Sequence, residues 1–115
     1  EESKRLPFEQ ADSGAVGLQT LLPAAMRLYH GGALSLPQLW RAMALNPAKR
    51  LGLEQGRLTV SAPADLIVFD PDVPFLLDRS TLLSKSKNTP FDGQRMEERV
   101  LASFVAGQQI FEYKG

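Results

Sequence analysis

The chain has 115 residues, which fits one modest domain or a piece of a larger one, and its 43% apolar content is typical of a globular protein and argues against disorder. Thirteen basic residues balance thirteen acidic ones, so the sequence has neither the basic surplus of a nucleic-acid-binding surface nor the acidic surplus of a solvating tail. Cysteine is absent, which excludes disulfides, thiolate nucleophiles and cysteine-based zinc sites, and no apolar run approaches the ~20 residues that span a bilayer. This usage fits a cytosolic protein. The opening Glu1-Glu2-Ser3-Lys4-Arg5 is neither a signal peptide nor an initiator sequence, and reads as the start of a piece of a longer chain.

Residues 1–16 carry Pro7 and Gly14 and show no sustained period. From Gly17 the pattern changes. Leu18, Leu21, Leu22, Ala25, Met26 and Tyr29 recur at helical spacing and predict a helix ending near Gly31-Gly32. Pro23 falls in its first turn or so, where a missing N–H does least harm. Ser35 and Gln38 form a capping box that opens a second helix, with Leu36, Leu39, Trp40 and Met43 as its apolar stripe. Asn46-Pro47 predicts a restart, with Asn46 as N-cap and Pro47 at the first position, and Gly52 is a natural stop.

After Gly56 the helical period disappears. Arg57–Ser61 reads as a short strand, Ala62–Asp65 as a turn, and Leu66–Phe69 as an apolar strand that stops at Asp70-Pro71. Phe75–Leu77 is a further extended piece, and Asp78 or Ser80 caps one helical turn through Leu83. Ser84–Gly93 is a loop, marked by Lys85, Lys87, Pro90 and the closing Asp92-Gly93. A bulky Phe91 directly after Pro90 implies that this loop docks on something. The end is a hairpin: Arg99–Ala106, a Gly107-Gln108 turn, and Gln109–Tyr113 returning. Val100, Ala102, Phe104 and Ala106 share one face of it, and Leu101, Ser103 and Val105 the other. The chain thus divides near residue 55 into a helical half and a strand half. Neither is self-sufficient, because the helices lack strands to cover and the short strands leave open edges.

The residues offer no complete acid–base pair, nucleophile triad or metal site. His30, the single histidine, reads as a structural residue at a helix C-terminus, beside the negative end of the dipole; as a metal ligand it lacks a second histidine. Asp70 and Asp72 flank Pro71 and could hold a hard cation, but Asp after a strand is ordinary turn chemistry. Asp65 reads the same way. Lys85 and Lys87 could bind an anion or be solvated. Ser13-Gly14 is either a plain turn or a place where the backbone comes close to a ligand. Neither the Walker pattern nor GxGxxG is present.

Three segments together resemble the dihydroorotase family, a pyrimidine-pathway branch of the amidohydrolase superfamily. The first is Lys4-Arg5-Leu6-Pro7-Phe8 followed by Ala11, Gly14 and Gly17-Leu18-Gln19-Thr20, similar to a family Lys-x-x-Pro-Phe, Gly and Gly-Leu-Glu-Thr. The second runs from Ser35-Leu36 through Asn46-Pro47-Ala48 and Leu51-Gly52-Leu53 to Gly56, Ala64-Asp65-Leu66 and Asp70-Pro71, and is shared across much of the superfamily. The third is Ser84-Lys85-Ser86-Lys87-Asn88-Thr89-Pro90-Phe91, worded as in dihydroorotases and unlike the loops of hydantoinases and allantoinases. Gln19 stands where Glu is usual, a change expected to matter little at a helix start. Asp12-Ser13 stands where many members have Pro-Phe.

The resemblance implies an α/β parent with a TIM-like (β/α)8 barrel plus a β-sandwich built from both chain ends. On that reading the present chain is an α+β fragment: residues 1–55 are the C-terminal end of the barrel and residues 56–115 the C-terminal part of the sandwich. The implied activity is interconversion of N-carbamoyl-L-aspartate and L-dihydroorotate, with a metal, zinc, and an aspartate upstream of Glu1 supplying the chemistry. No residue here inherits a catalytic or metal-binding role, and none is expected to bind zinc in the isolated fragment. Ser13 and Gly14 inherit substrate contacts through their backbone. The remainder of the barrel is an implied partner, as are a second copy in a homodimer and aspartate transcarbamoylase; no nucleic acid and no membrane partner is implied. Two alternatives stay open: another cyclic amidohydrolase such as a hydantoinase or allantoinase, and a catalytically inactive relative that scaffolds a transcarbamoylase.

Overall fold

The computed structural model describes Pro7 and residues 14–115. Helix α1 (Leu21–His30) is followed by α2 (Leu36–Trp40), a π-helical turn (Arg41–Leu45) and α3 (Asn46–Arg50). Strand β1 (Leu66–Leu76), a 3-10 turn (Arg79–Thr81), β2 (Arg95–Val105) and β3 (Gln108–Glu112) complete the order. The strands form one antiparallel sheet in the order β1-β2-β3.

The helix ends follow local chemistry. Gly32 takes φ +77° just past α1, and the Gly32 and Ala33 N–H groups donate to the carbonyls of Tyr29 and Leu28. Those bonds satisfy carbonyls that the helix leaves unpaired. Ser35 and Gln38 make the full capping box, with Ser35 N–H to Gln38 Oε1 at 2.8 Å and Gln38 N–H to Ser35 Oγ at 3.3 Å. Gly52, at φ +69°, stops α3 in the same way as Gly32 stops α1, with Leu53 N–H donating to Ala48.

Asn46 is not an N-cap. It has helical angles (φ −65°, ψ −44°), and its N–H donates to Arg41, five residues back. Pro47 has no N–H and its ring would crowd the Met43 carbonyl in an unbroken α-helix. The widened π turn accommodates it, and the helix continues without a restart.

Arg57–Ser61 forms no strand and pairs with none among the described residues. Leu58 and Val60 are 81% and 98% exposed, and Ala62 N–H closes a turn on Thr59 instead. Conversely, β1 does not stop at Asp70-Pro71. Asp70 pairs with Arg99 and Pro74 with Glu97, so Pro71, Asp72 and Val73 bulge out opposite Glu98. A bulge releases proline from the ladder bond it cannot make. Asp72 N–H donates to Asp70 Oδ1 at 2.9 Å, which is the turn chemistry expected of that pair. Phe75-Leu76 is the end of β1 rather than a separate piece.

Strand β2 begins at Arg95, four residues before the expected Arg99, because Arg95 and Met96 pair with Leu76 and Phe75. The hairpin turn is Ala106-Gly107, at φ 50° and 78°, one residue earlier than expected. Positive φ at both central positions gives the turn the twist that antiparallel strands need. Asp65 does more than end a turn: its Oδ1 accepts the Ala106 N–H at 2.8 Å, and the adjacent Ala64 carbonyl accepts that of Gly107.

The core lies where α1 meets β2 and the segment after β1. Leu77, Leu82 and Met96 are buried together, with Val16, Ala24, Phe75 and Phe91 packed against them. At the far end of α1, His30 Nε2–H donates to the Pro71 carbonyl at 2.7 Å, with Glu97 Oε2 at 3.9 Å. Helix α1 is therefore fastened to the β1 bulge. Trp40 meets Phe69 edge-on at 5.4 Å between ring centres, joining α2 to the sheet.

Candidate functional site

Two features that are far apart in sequence meet in the fold. Gly14 is exposed at φ +74°, and nothing lies within 4 Å of where a Cβ would stand. Ser13, the other expected substrate contact, lies outside the described residues. The irregular stretch 14–17 has no ladder or helix to hold it. Asn88 holds it from the opposite half of the chain: its Nδ2 donates to the Gly14 carbonyl at 3.0 Å, and its own carbonyl accepts the Val16 N–H at 2.9 Å. Val16 then turns inward onto the core. Thr20, only 2% exposed, points its hydroxyl back toward the Val16 and Gly17 carbonyls at 3.4 and 3.5 Å.

The Ser84–Gly93 loop is irregular in backbone but fixed at many points. Asn88 N–H donates to Ser86 Oγ, and Phe91 N–H donates to Thr89 Oγ1. Thr89 is 1% exposed, so the Asn-Thr-Pro turn is anchored at its centre. Phe91 does dock, against the Leu77, Leu82 and Met96 cluster, and the Arg27 guanidinium of α1 lies 5.4 Å from its ring centre. Arg27 also donates to the Arg95 carbonyl. Asp92 accepts the Arg79 N–H at 2.9 Å. Both lysines are exposed, but the Lys87 ammonium reaches back to donate to the Leu82 carbonyl, so the pair is not arranged as an anion cradle. Gln19 reaches across to the strand half: its Oε1 accepts the Leu83 N–H at 3.0 Å, a second tie between the two halves.

Two carboxyls are perturbed, neither in a catalytic pairing. The Ser80 hydroxyl and N–H, both donating to Asp78, hold its carboxyl below the usual range. Burial pushes Glu98 upward against the opposing pull of Arg99, and its Oε2 has no hydrogen-bond partner. Among the described residues no three His, Asp or Glu side chains converge as metal ligands. A cavity of about 640 Å³ lies between α2 with its π turn and the sheet, lined by Trp40, Ala44, Leu66 and Phe104 among others. Its lining is largely apolar, and no reactive constellation faces it.

Asn88 is the residue that reading the sequence left without a role. Asn before Thr-Pro signals a turn, but its partners 74 and 72 positions away carry no local signature.

The chain is 38% identical over 104 residues to a dihydroorotase from Aquifex aeolicus (strain VF5), which covers 90% of the chain and 25% of that protein. It is 41% identical over 111 residues to a dihydroorotase from Geobacter sp. (strain M21), covering 96% and 26%. Among solved structures, an L-hydantoinase (dihydropyrimidinase) from Arthrobacter aurescens superposes with a TM-score of 0.84 at 34% identity, over 90% of the chain and 24% of that one. A D-hydantoinase from a Bacillus sp. AR9, at 23% identity and a TM-score of 0.81 over 96% of the chain and 25% of its own, shares the fold. The chain thus spans about a quarter of the length of the curated relatives it matches. The family model described as "Amidohydrolase family" matches residues 10–110, nearly the whole chain, and on that match the chain belongs to the amidohydrolase family.

Proposed function

We propose that the chain is the C-terminal segment of a dihydroorotase, the enzyme that closes N-carbamoyl-L-aspartate to L-dihydroorotate or hydrolyses the ring again. The observation that carries this reading is the similarity to proteins named dihydroorotase at 36–41% identity over nine-tenths or more of the chain. The wording of the Ser84–Phe91 loop supports it. In the full enzyme, residues 1–55 complete a (β/α)8 barrel and residues 56–115 complete the accessory β-sandwich. Ser13 and Gly14 contact the substrate through their backbone; an exposed Gly14 without a side chain leaves room for that approach. Among the described residues no three metal-ligating side chains converge, and on this reading a zinc ion is held by the barrel upstream of the chain. This segment binds and positions, and it performs no proton transfer.

The test is turnover by the full-length protein of dihydroorotate, hydantoin and allantoin, side by side with the 115-residue chain alone. Dihydroorotate is expected to be the preferred substrate, and the isolated chain is expected to turn over none of the three. The 34% identity and close superposition with an L-hydantoinase favour a cyclic amidohydrolase of that kind as the second reading. Preference for hydantoin would establish it in place of the first.

A further inference from the structure

We infer that Asn88 is the positioning residue for the substrate loop, setting the backbone at Gly14 from the opposite half of the chain. The inference rests on the reading that Gly14 contacts substrate. Its physical basis is separate. The stretch 14–17 belongs to no helix or strand, and Gly14 is exposed at a positive φ with no neighbour where a side chain would stand. Glycine has the widest backbone freedom of any residue, so a functional conformation here must be imposed from outside. Two Asn88 bonds impose it, one from the side chain to the Gly14 carbonyl at 3.0 Å and one from Val16 N–H to the Asn88 carbonyl at 2.9 Å. The Thr20 contacts to the same stretch, at 3.4 and 3.5 Å, lie at the long limit of hydrogen bonding.

Asn88 can impose a position because it is itself held. Buried Thr89 follows it, Phe91 is seated in the core, and Ser86 accepts its N–H. The amide side chain suits the task. Its NH2 donates to a carbonyl, which Asp, of the same shape, cannot do when ionised. The loop that identifies the family by its wording thereby acts on the candidate site at a distance, through one side chain and one carbonyl.

The experiment uses the full-length protein with Asn88→Ala and Asn88→Asp. Each keeps the backbone bond to Val16 and removes the bond to Gly14; Asn88→Asp adds repulsion between carboxylate and carbonyl. The expected result is a KM raised about 3- to 10-fold in Asn88→Ala, the factor a lost hydrogen bond gives, and raised further in Asn88→Asp. In both, kcat stays within about twofold, because uniform binding is lost and not chemistry. Amide exchange over residues 14–17 is expected to be faster in both, in the same protein and without reference to activity. A merely structural role would lower the active fraction, and hence kcat, at constant KM. Unchanged KM in both variants, or unchanged exchange over 14–17, overturns the inference. If the parent turns over hydantoin instead of dihydroorotate, the dihydroorotase reading fails, and the same KM comparison on hydantoin still decides the role of Asn88. A parent that turns over no cyclic amide overturns both.

Discussion

At the scale of single residues, the chain's polar groups bind backbone rather than reacting. Asp78 caps a 3-10 turn, Asp65 fastens the hairpin turn, Gln19 takes the Leu83 N–H, and His30 holds the β1 bulge. Glu98 behaves differently. It faces the bulge on β2, half-buried, with Oε2 unpartnered. An unpaired polar atom out of water is costly, and here burial favours the protonated carboxyl. The sign follows from linkage. Because the folded-state pKa is raised, the contribution to stability is fully present below the ordinary value of 4.5 and is lost as pH rises through the raised one. Glu98→Gln is therefore expected to stabilise the full-length protein at pH 7 and to make little difference below about pH 4. Glu98 is only partly buried, so solvent screens the effect and the gain is under ~1 kcal/mol. Urea melts of both proteins at the two pH values check it; an equal gain at both would remove ionisation as the cause.

At the scale of elements, what the sequence made legible was what depends on neighbours three to five residues away. The Ser35–Gln38 capping box and the Gly32 and Gly52 stops are bonds within a few residues, and all three occur as read. What was not legible depends on a partner strand. Asp70-Pro71 looks like a stop until β2 is alongside to make it a bulge, and Arg95–Glu98 looks like loop until Phe75-Leu76 pairs with it. Arg57–Ser61 has the composition of a strand and finds no ladder among the described residues. The candidate site divides in the same way. Gly14 stands out as an irregular glycine, while Asn88 acquires meaning only through contacts across the fold. The hairpin turn supplies the prediction at this scale. Ala106 sits at φ 50°, where an L-residue is strained by about 1–2 kcal/mol, and it is exposed. Ala106→Gly relieves that strain but adds freedom to the unfolded chain worth about 0.5–1 kcal/mol. A net gain of roughly 0.5–1 kcal/mol is expected, seen as a higher urea midpoint at unchanged slope. A lower midpoint would mean that the turn is not of the kind described.

At the scale of the whole molecule, burial is meagre for the chain's apolar content. Among the described residues, Pro23 and six other apolar side chains are buried, while sixteen large apolar or aromatic ones are exposed. The exposed set includes Leu58, Val60, Val68, Ile110 and Phe111, spread over the segment before β1 and over the sheet. Every residue of β3 is exposed. The radius of gyration is 16.4 Å, against about 13 Å for a compact domain of ~100 residues. Apolar surface on this scale is ordinarily covered by something else. That accords with a chain that spans a quarter of its relatives' length. Ties through Asn88, Gln19, Arg27 and His30, among others, join the helical half to the strand half, so the two are expected to stay together when isolated. Their outer apolar faces are expected to find each other. The isolated chain should therefore self-associate, with a mass by light scattering that exceeds 12.7 kDa and rises with concentration. It should also bind a hydrophobic dye more strongly, residue for residue, than the full-length protein. Hydrophobic association weakens on cooling, so the mass should fall in the cold, whereas association through the few surface ion pairs would respond to salt instead. A monodisperse 12.7 kDa species that binds no dye would show that the exposed faces need no cover, and would count against the place in a larger enzyme proposed for this chain.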